Sequence, residues 1–179
     1  NVYDRYLAGA DFHDIDTHYN RVLIYKTVDP ASSRPVRVMV TGPQGRQSAM
    51  FLDDEIELAG SYTKFYKLAR YFKPSMSKVL MLGGGGYSFP KYAINRYPDI
   101  RMDVVEIDPG ITALAARFFA LRENPRLRII HEDARTFLNT TNEKYDVILG
   151  DIFNSHYSIP FHLSTLETVE RYHKLLGED

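Results

Sequence analysis

Four stretches of this chain put residues suited to nucleoside chemistry just past an apolar run. Gly83-Gly84-Gly85-Gly86 follows Val79 to Leu82, and Glu106 and Asp108 stand at the end of Met102 to Ile107. Asp133 comes after Leu127 to Ile130, and Asp151 after Tyr145 to Gly150. Glycines accept positive φ and let a ligand approach the backbone closely; the plain alternative is a tight turn with no ligand. A carboxylate at Glu106 is placed to accept both hydroxyl hydrogens of a ribose, or else it is a solvated strand-end or helix-capping acid. Asp108 reads as the N-cap of a helix opening at Pro109. Asp133 either accepts from an adenine amino group or caps a helix at Ala134, and different atoms can serve both roles. Asp151 is placed to face the reacting end of a bound nucleoside, or else it is a loop-capping acid. A sulfonium is already a good leaving group, so catalysis then needs alignment of the nucleophile and removal of its proton. An amine arrives mostly as ammonium, which a carboxylate both holds and deprotonates. Asn154, His156, Tyr157 and His162 follow Asp151 and are candidates to line the acceptor site. Tyr62 and Tyr66 are either core aromatics of a helix or, for Tyr62, a cover on the acceptor pocket.

These residues need an open parallel sheet, where ligands bind at the carboxyl ends of the strands. The pattern predicts one. From Val79 onward, four β-like runs alternate with helical stretches, implying βαβ units with right-handed crossovers. The helices expected are Pro90 onward with Ser88 as N-cap, Asp108-Pro109 towards Ala120, Ala134 to Leu138, and Leu163 to Leu176. The expected strand order is third, second, first, fourth. Upstream, Arg21 to Val28, Val36 to Val40 and Ser48 to Leu52 read as a small β meander. Tyr62, Phe65, Tyr66, Ala69 and Phe72 recur at helical spacing, and Lys73-Pro74 ends that helix. The domain reading is a weakly patterned segment over 1–17, a small β region over 18–58, and a Rossmann-like nucleoside-binding domain over 59–179. Both ends read as cut, with the sheet breaking off after its fourth strand and following helix.

Composition narrows the chemistry further. The 179 residues carry a net charge of −1 and no cysteine. No global field therefore favours nucleic acid, and cysteine nucleophiles and thiolate metal sites are excluded. The six histidines lack metal-ligand spacing, so no metal is expected. No apolar run reaches the ~20 residues of a membrane span, and a cytoplasmic, soluble segment is expected. The glycine turn fails the dinucleotide pattern G-x-G-x-x-G: the third glycine position falls on Ser88 or Phe89. No Lys-Ser/Thr follows it, which argues against a P-loop.

Taken together, VLMLGGGGYSFPKYAINRYP, MDVVEIDPGI, LRIIHEDARTFL and YDVILGDIFN resemble the spermidine/spermine synthase family, which has the class I S-adenosylmethionine-dependent methyltransferase fold. The stretch Ser158-Ile159-Pro160-Phe161-His162-Leu163 is similar to that of divergent members, often fused to membrane segments. The resemblance covers most of residues 17–176. It implies aminopropyl transfer to an amine acceptor, a polyamine among the candidates, from decarboxylated S-adenosylmethionine or a relative such as S-adenosylmethionine, without metal, in a homodimer built partly on the meander. It implies Glu106 as the ribose acid, Asp133 at adenine, Asp151 as the base, Tyr62 near the acceptor amine and Asn20 near the nucleoside. Gly83, Gly84 and Gly85 form the donor turn. The chain departs from the family where an aspartate of the glycine loop is Gly86, where a second aspartate after the base is Asn154, and where His-Glu after the tyrosine is Thr63-Lys64. A methyltransferase on an unknown acceptor and a non-catalytic nucleoside-binding domain are the alternatives.

Overall fold

The computed structural model describes residues 11–41, 46–152 and 160–177. Its first four strands, β1 (His13–Asp16), β2 (Arg21–Val28), β3 (Pro35–Val40) and β4 (Arg46–Phe51), form an antiparallel meander in that order. Alternation makes β2: Val22 and Ile24 are fully buried while Arg21, Lys26 and Val28 face solvent. β1 lies inside the segment that sequence reading left unassigned. Of its residues, HDID, only Ile15 is apolar, and it packs on the core; the strand also pairs with β2, beside the exposed Arg21–Asp14 ion pair at 2.5 Å.

The predicted helix after Ser61 takes a different form. A 3₁₀ stretch, Tyr62–Lys67, leads into a short α1 (Leu68–Phe72). Tyr66 and Ala69 pack on the core, but Phe65 and Phe72 are 69% and 77% exposed. No side chain caps the N-terminus of the 3₁₀ stretch, and its three-residue turn displaces Phe65 from the face that an α-helix would bury.

The larger layer follows the expected pattern. β5 (Lys78–Leu82), β6 (Arg101–Val105), β7 (Leu127–Ile130) and β8 (Val147–Gly150) form an all-parallel sheet in the order β7-β6-β5-β8. The interior strands KVLML and RMDVV are almost wholly buried, as sheets covered on both faces require. Val79, Met81, Met102 and Val104 pack with α2 (Ser88–Arg96), α3 (Pro109–Phe118) and the meander's Val22, Ile24, Met39 and Met50. Leu80, Leu82 and Val105 face the other way, onto Phe137 and Leu138 of α4 (Ala134–Thr140) and Leu175 of α5 (Leu166–Leu175).

Three boundaries differ from expectation. α2 begins at Ser88 with Tyr87 as N-cap, because the Ser88 hydroxyl donates to the Ala49 carbonyl and makes no cap bond to the helix. Tyr145 stands outside β8, in a bridge to Leu176. α5 starts only after Thr165, whose side chain caps it, while Phe161–Leu163 forms a 3₁₀ turn. Lys91 of α2 is buried, its ammonium donating to the carbonyls of Phe119 and Glu55 beside Met50. It thereby ties the meander's exit to the end of α3.

Candidate active site

Gly83 and Gly85 adopt positive φ, 92° and 50°. A Cβ on Gly83 would lie 2.5 Å from the Asp151 carbonyl oxygen, so only glycine lets the two loops touch. Backbone bonds fix that approach: Gly83 N donates to Val105 O and Asp151 N to Leu82 O, each at 2.8 Å. The turn after β5 and the acid after β8 are neighbours because β5 and β8 pair in parallel.

Glu106 closes the turn from the β6 side. Its Oε2 accepts from Gly84 N at 2.9 Å and Gly85 N at 3.3 Å, and its Oε1 accepts from Asp108 N at 3.0 Å. Asp108 is fully buried. It caps α3 through Gly110 N at 2.9 Å and accepts from Thr17 Oγ1 at 2.5 Å and Asn20 Nδ2 at 3.1 Å. Asn20 is thus brought beside the Glu106 segment, with its amide held on Asp108. The meander makes a second contact: Gly86 N donates to Ser48 Oγ at 2.8 Å. Sequence reading missed Ser48 and Thr17, since a lone hydroxyl in a strand or turn carries no signal of a contact far along the chain.

Asp151 is half-buried. Burial pushes its carboxyl up to about 6, opposed by hydrogen bonding from the Tyr66 and Tyr62 hydroxyls. Tyr62 Oη lies 3.5 Å from Asp151 Oδ2 and 3.0 Å from the Gln47 carbonyl. A phenol has one proton, and Gln47 O is the better acceptor, so Tyr62 faces Asp151 with only a long contact. Burial, with the charge of Asp151, pushes both phenols above their ordinary range. Tyr66 also packs edge-on against Phe89 with ring centroids 5.3 Å apart. The four-residue spacing of Tyr62 and Tyr66 was the available signal for this second partner.

Asp133 caps α4: its Oδ1 accepts from Thr136 N at 2.9 Å and Thr136 Oγ1 at 3.2 Å. Both bonds fall on one oxygen. Asn154, His156 and Tyr157 lie outside the described residues. His162 is tied into the fold by its carbonyl, which accepts from Arg135 Nη1 and Thr168 Oγ1. The departure at Gly86 has a steric reason: a Cβ there would lie 2.9 Å from Ser48 Cβ and 3.1 Å from Phe119 Cδ1. Thr63 is buried and donates to Gly60 O at 2.7 Å, and Lys64 is exposed. Among the described residues, no group of three His, Cys, Asp or Glu is arranged for a metal ion, and no helix is long and apolar enough to cross a membrane.

Comparison with known proteins fits this geometry. The model of the spermine/spermidine synthase domain matches residues 63–179. A polyamine aminopropyltransferase of Vibrio vulnificus is 36% identical over 119 residues, 65% of this chain and 40% of its own length. A probable polyamine aminopropyl transferase of Bifidobacterium longum is 28% identical across 93% of this chain and 37% of its own length. The chain therefore spans about two fifths of the length of these two relatives. A probable spermidine synthase of Corynebacterium glutamicum superposes with a TM-score of 0.77 at 24% identity, over 92% of this chain and 60% of that one, meander included.

Proposed function

This chain belongs to the spermine/spermidine synthase domain family, and from that premise we propose that it carries the donor site and catalytic base of an aminopropyltransferase. The donor is decarboxylated S-adenosylmethionine and the acceptor is a small amine of the polyamine class. The observation that carries this reading is the contact of the Gly83 turn with Asp151, which sets a half-buried carboxylate next to the nucleoside-binding turn. The names of the aminopropyltransferase relatives support it.

Each residue has a task in this reading. A carboxylate offers about four acceptor sites, and three backbone N–H groups use three of those of Glu106. The ribose takes the open site on Oε1 and displaces the Gly85 bond, the longest of the three. Asp133 keeps Oδ2 for the adenine amino group while Oδ1 caps α4. Asp151 holds the acceptor amine and takes its proton, with Tyr62 and Tyr66 flanking it. The amine nitrogen bonds to the aminopropyl carbon next to sulfur. That carbon–sulfur bond breaks, its electron pair stays on sulfur, and methylthioadenosine leaves. Asn154, His156 and Tyr157 line the acceptor side. Asn20 acts on the nucleoside site through Asp108. The protein works in the cytoplasm as a homodimer built partly on the meander, where Tyr19 and Val28 are exposed. Light scattering of the full-length protein tests the dimer.

The test of function is the nucleoside released from donor and putrescine. Methylthioadenosine supports aminopropyl transfer. A demethylated nucleoside thioether would transfer the assignment to methyl chemistry, and no released nucleoside with any amine would favour a non-catalytic binding domain.

A further inference from the structure

Tyr87 adopts φ 53° and ψ 31°, in the left-handed region, yet its side chain is fully buried. A side chain there carries a backbone cost that glycine avoids, so its contacts must offset that cost. They are specific. The ring occupies the space that Gly84 leaves free: a Cβ on Gly84 would lie 2.5 Å from Tyr87 Cζ and 2.8 Å from Oη. The hydroxyl is hydrogen-bonded to Thr112 Oγ1 on α3 at 2.7 Å. Thr112 Oγ1 in turn lies 3.0 Å from His131 Nε2, at the end of β7 and two residues before Asp133. Burial and the nearby charge of Glu106 keep the phenol protonated and able to donate. Gly84, against which the ring rests, is the residue whose N–H makes the shorter of the two glycine bonds to Glu106.

We propose that Tyr87 is a positioning residue for the adenosyl donor. Its ring fixes Gly84 so that the Gly84 N–H stays on Glu106, and its hydroxyl, through Thr112 and His131, ties the glycine turn to the strand end that carries Asp133. The line thus couples the ribose acid to the adenine acid from beneath the site. Tyr87 does not touch the donor; it acts through Gly84 and Thr112. This inference rests on the donor site proposed above and deepens it.

The test uses the full-length protein and methylthioadenosine as the probe in isothermal titration, with the donor KM and kcat measured in parallel. Tyr87→Phe keeps the ring and removes the hydroxyl. It should raise the dissociation constant and the donor KM about 3–10-fold, the scale of one hydrogen bond, with kcat changed less than about twofold. Thr112→Val breaks the same bond and the contact with His131 as well, so its effect should be at least as large. The double variant should be no weaker than Thr112→Val alone, because that substitution already removes the Tyr87 bond. Thr112→Ser should restore wild-type affinity. Lower thermal stability with unchanged affinity in both variants would overturn the positioning role and leave the functional reading intact. Absence of methylthioadenosine binding to the wild type would overturn both.

Discussion

Replacing Asp151 with asparagine should stabilise this protein while disabling it. Burial holds the Asp151 carboxyl at about 6, above its ordinary 3.8. The folded state therefore keeps a proton that the unfolded chain has released, and between those two values stability falls as pH rises. Above about pH 6 the ionised group costs stability. About two pKa units at 1.36 kcal/mol each give an upper bound of ~3 kcal/mol, which partial solvent contact reduces to ~1–2 kcal/mol. The asparagine side chain would carry no such charge and would still accept from Tyr66. Chemical denaturation at pH 7.5 should show Asp151→Asn more stable by that ~1–2 kcal/mol, with the gain vanishing towards pH 4. Turnover should fall by roughly 10²–10⁴-fold, the worth of a general base, and methylthioadenosine affinity should stay nearly unchanged. In the wild type, kcat/KM for the acceptor should rise with pH through about 6, and this limb should be absent in the variant. A variant destabilised at pH 7.5, or one that keeps wild-type turnover, would refute the reasoning.

Other consequences can be measured. Glu106→Gln removes the charge that three backbone donors share and that the proposed site offers to the ribose, and calorimetry should show donor binding weakened by roughly 1.5–3 kcal/mol. Gly83→Ala places a methyl against the Asp151 carbonyl at positive φ; denaturation should show a loss of about 2 kcal/mol or more, with donor binding lost. Gly86→Asp restores the family's acid in sequence only. Ser48 and Phe119 leave no room for its Cβ, so alone it should destabilise, and Ser48→Gly should partly rescue it in thermal melts. Lys91, lowered from 10.5 to about 8 by burial, is charged in the unfolded chain up to higher pH than in the folded one. Stability should therefore rise between about pH 8 and 10.5, and Lys91→Met should abolish that rise.

What could be read in advance followed from local pattern. The buried runs KVLML and RMDVV and the punctuating glycines announced the parallel sheet and its order, because such strands must be apolar on both faces. The parallel order brings two of the strand-end acids, Glu106 and Asp151, to the glycine turn. What escaped notice depends on contacts between distant segments. Ser48 on Gly86, Thr17 on Asp108 and Tyr87 beneath Gly84 join residues with no common period. β1 has a single apolar residue, Ile15, too little for an alternation to show in the sequence. The stretch Tyr62–Lys67 has helical spacing, but spacing does not separate 3₁₀ from α geometry, and Phe65, which that spacing groups with Tyr66 and Ala69, is exposed. The exclusion of an aspartate at Gly86 is visible only once the meander is seen to reach the turn.

The most direct test of the central claim is to follow an isotope placed in the aminopropyl chain of decarboxylated S-adenosylmethionine, using full-length protein and putrescine. Label recovered in the amine product by mass spectrometry, in amounts equal to the methylthioadenosine released and lost in Asp151→Asn, is the predicted result. Label remaining on the nucleoside thioether while the amine gains a methyl group would contradict the account.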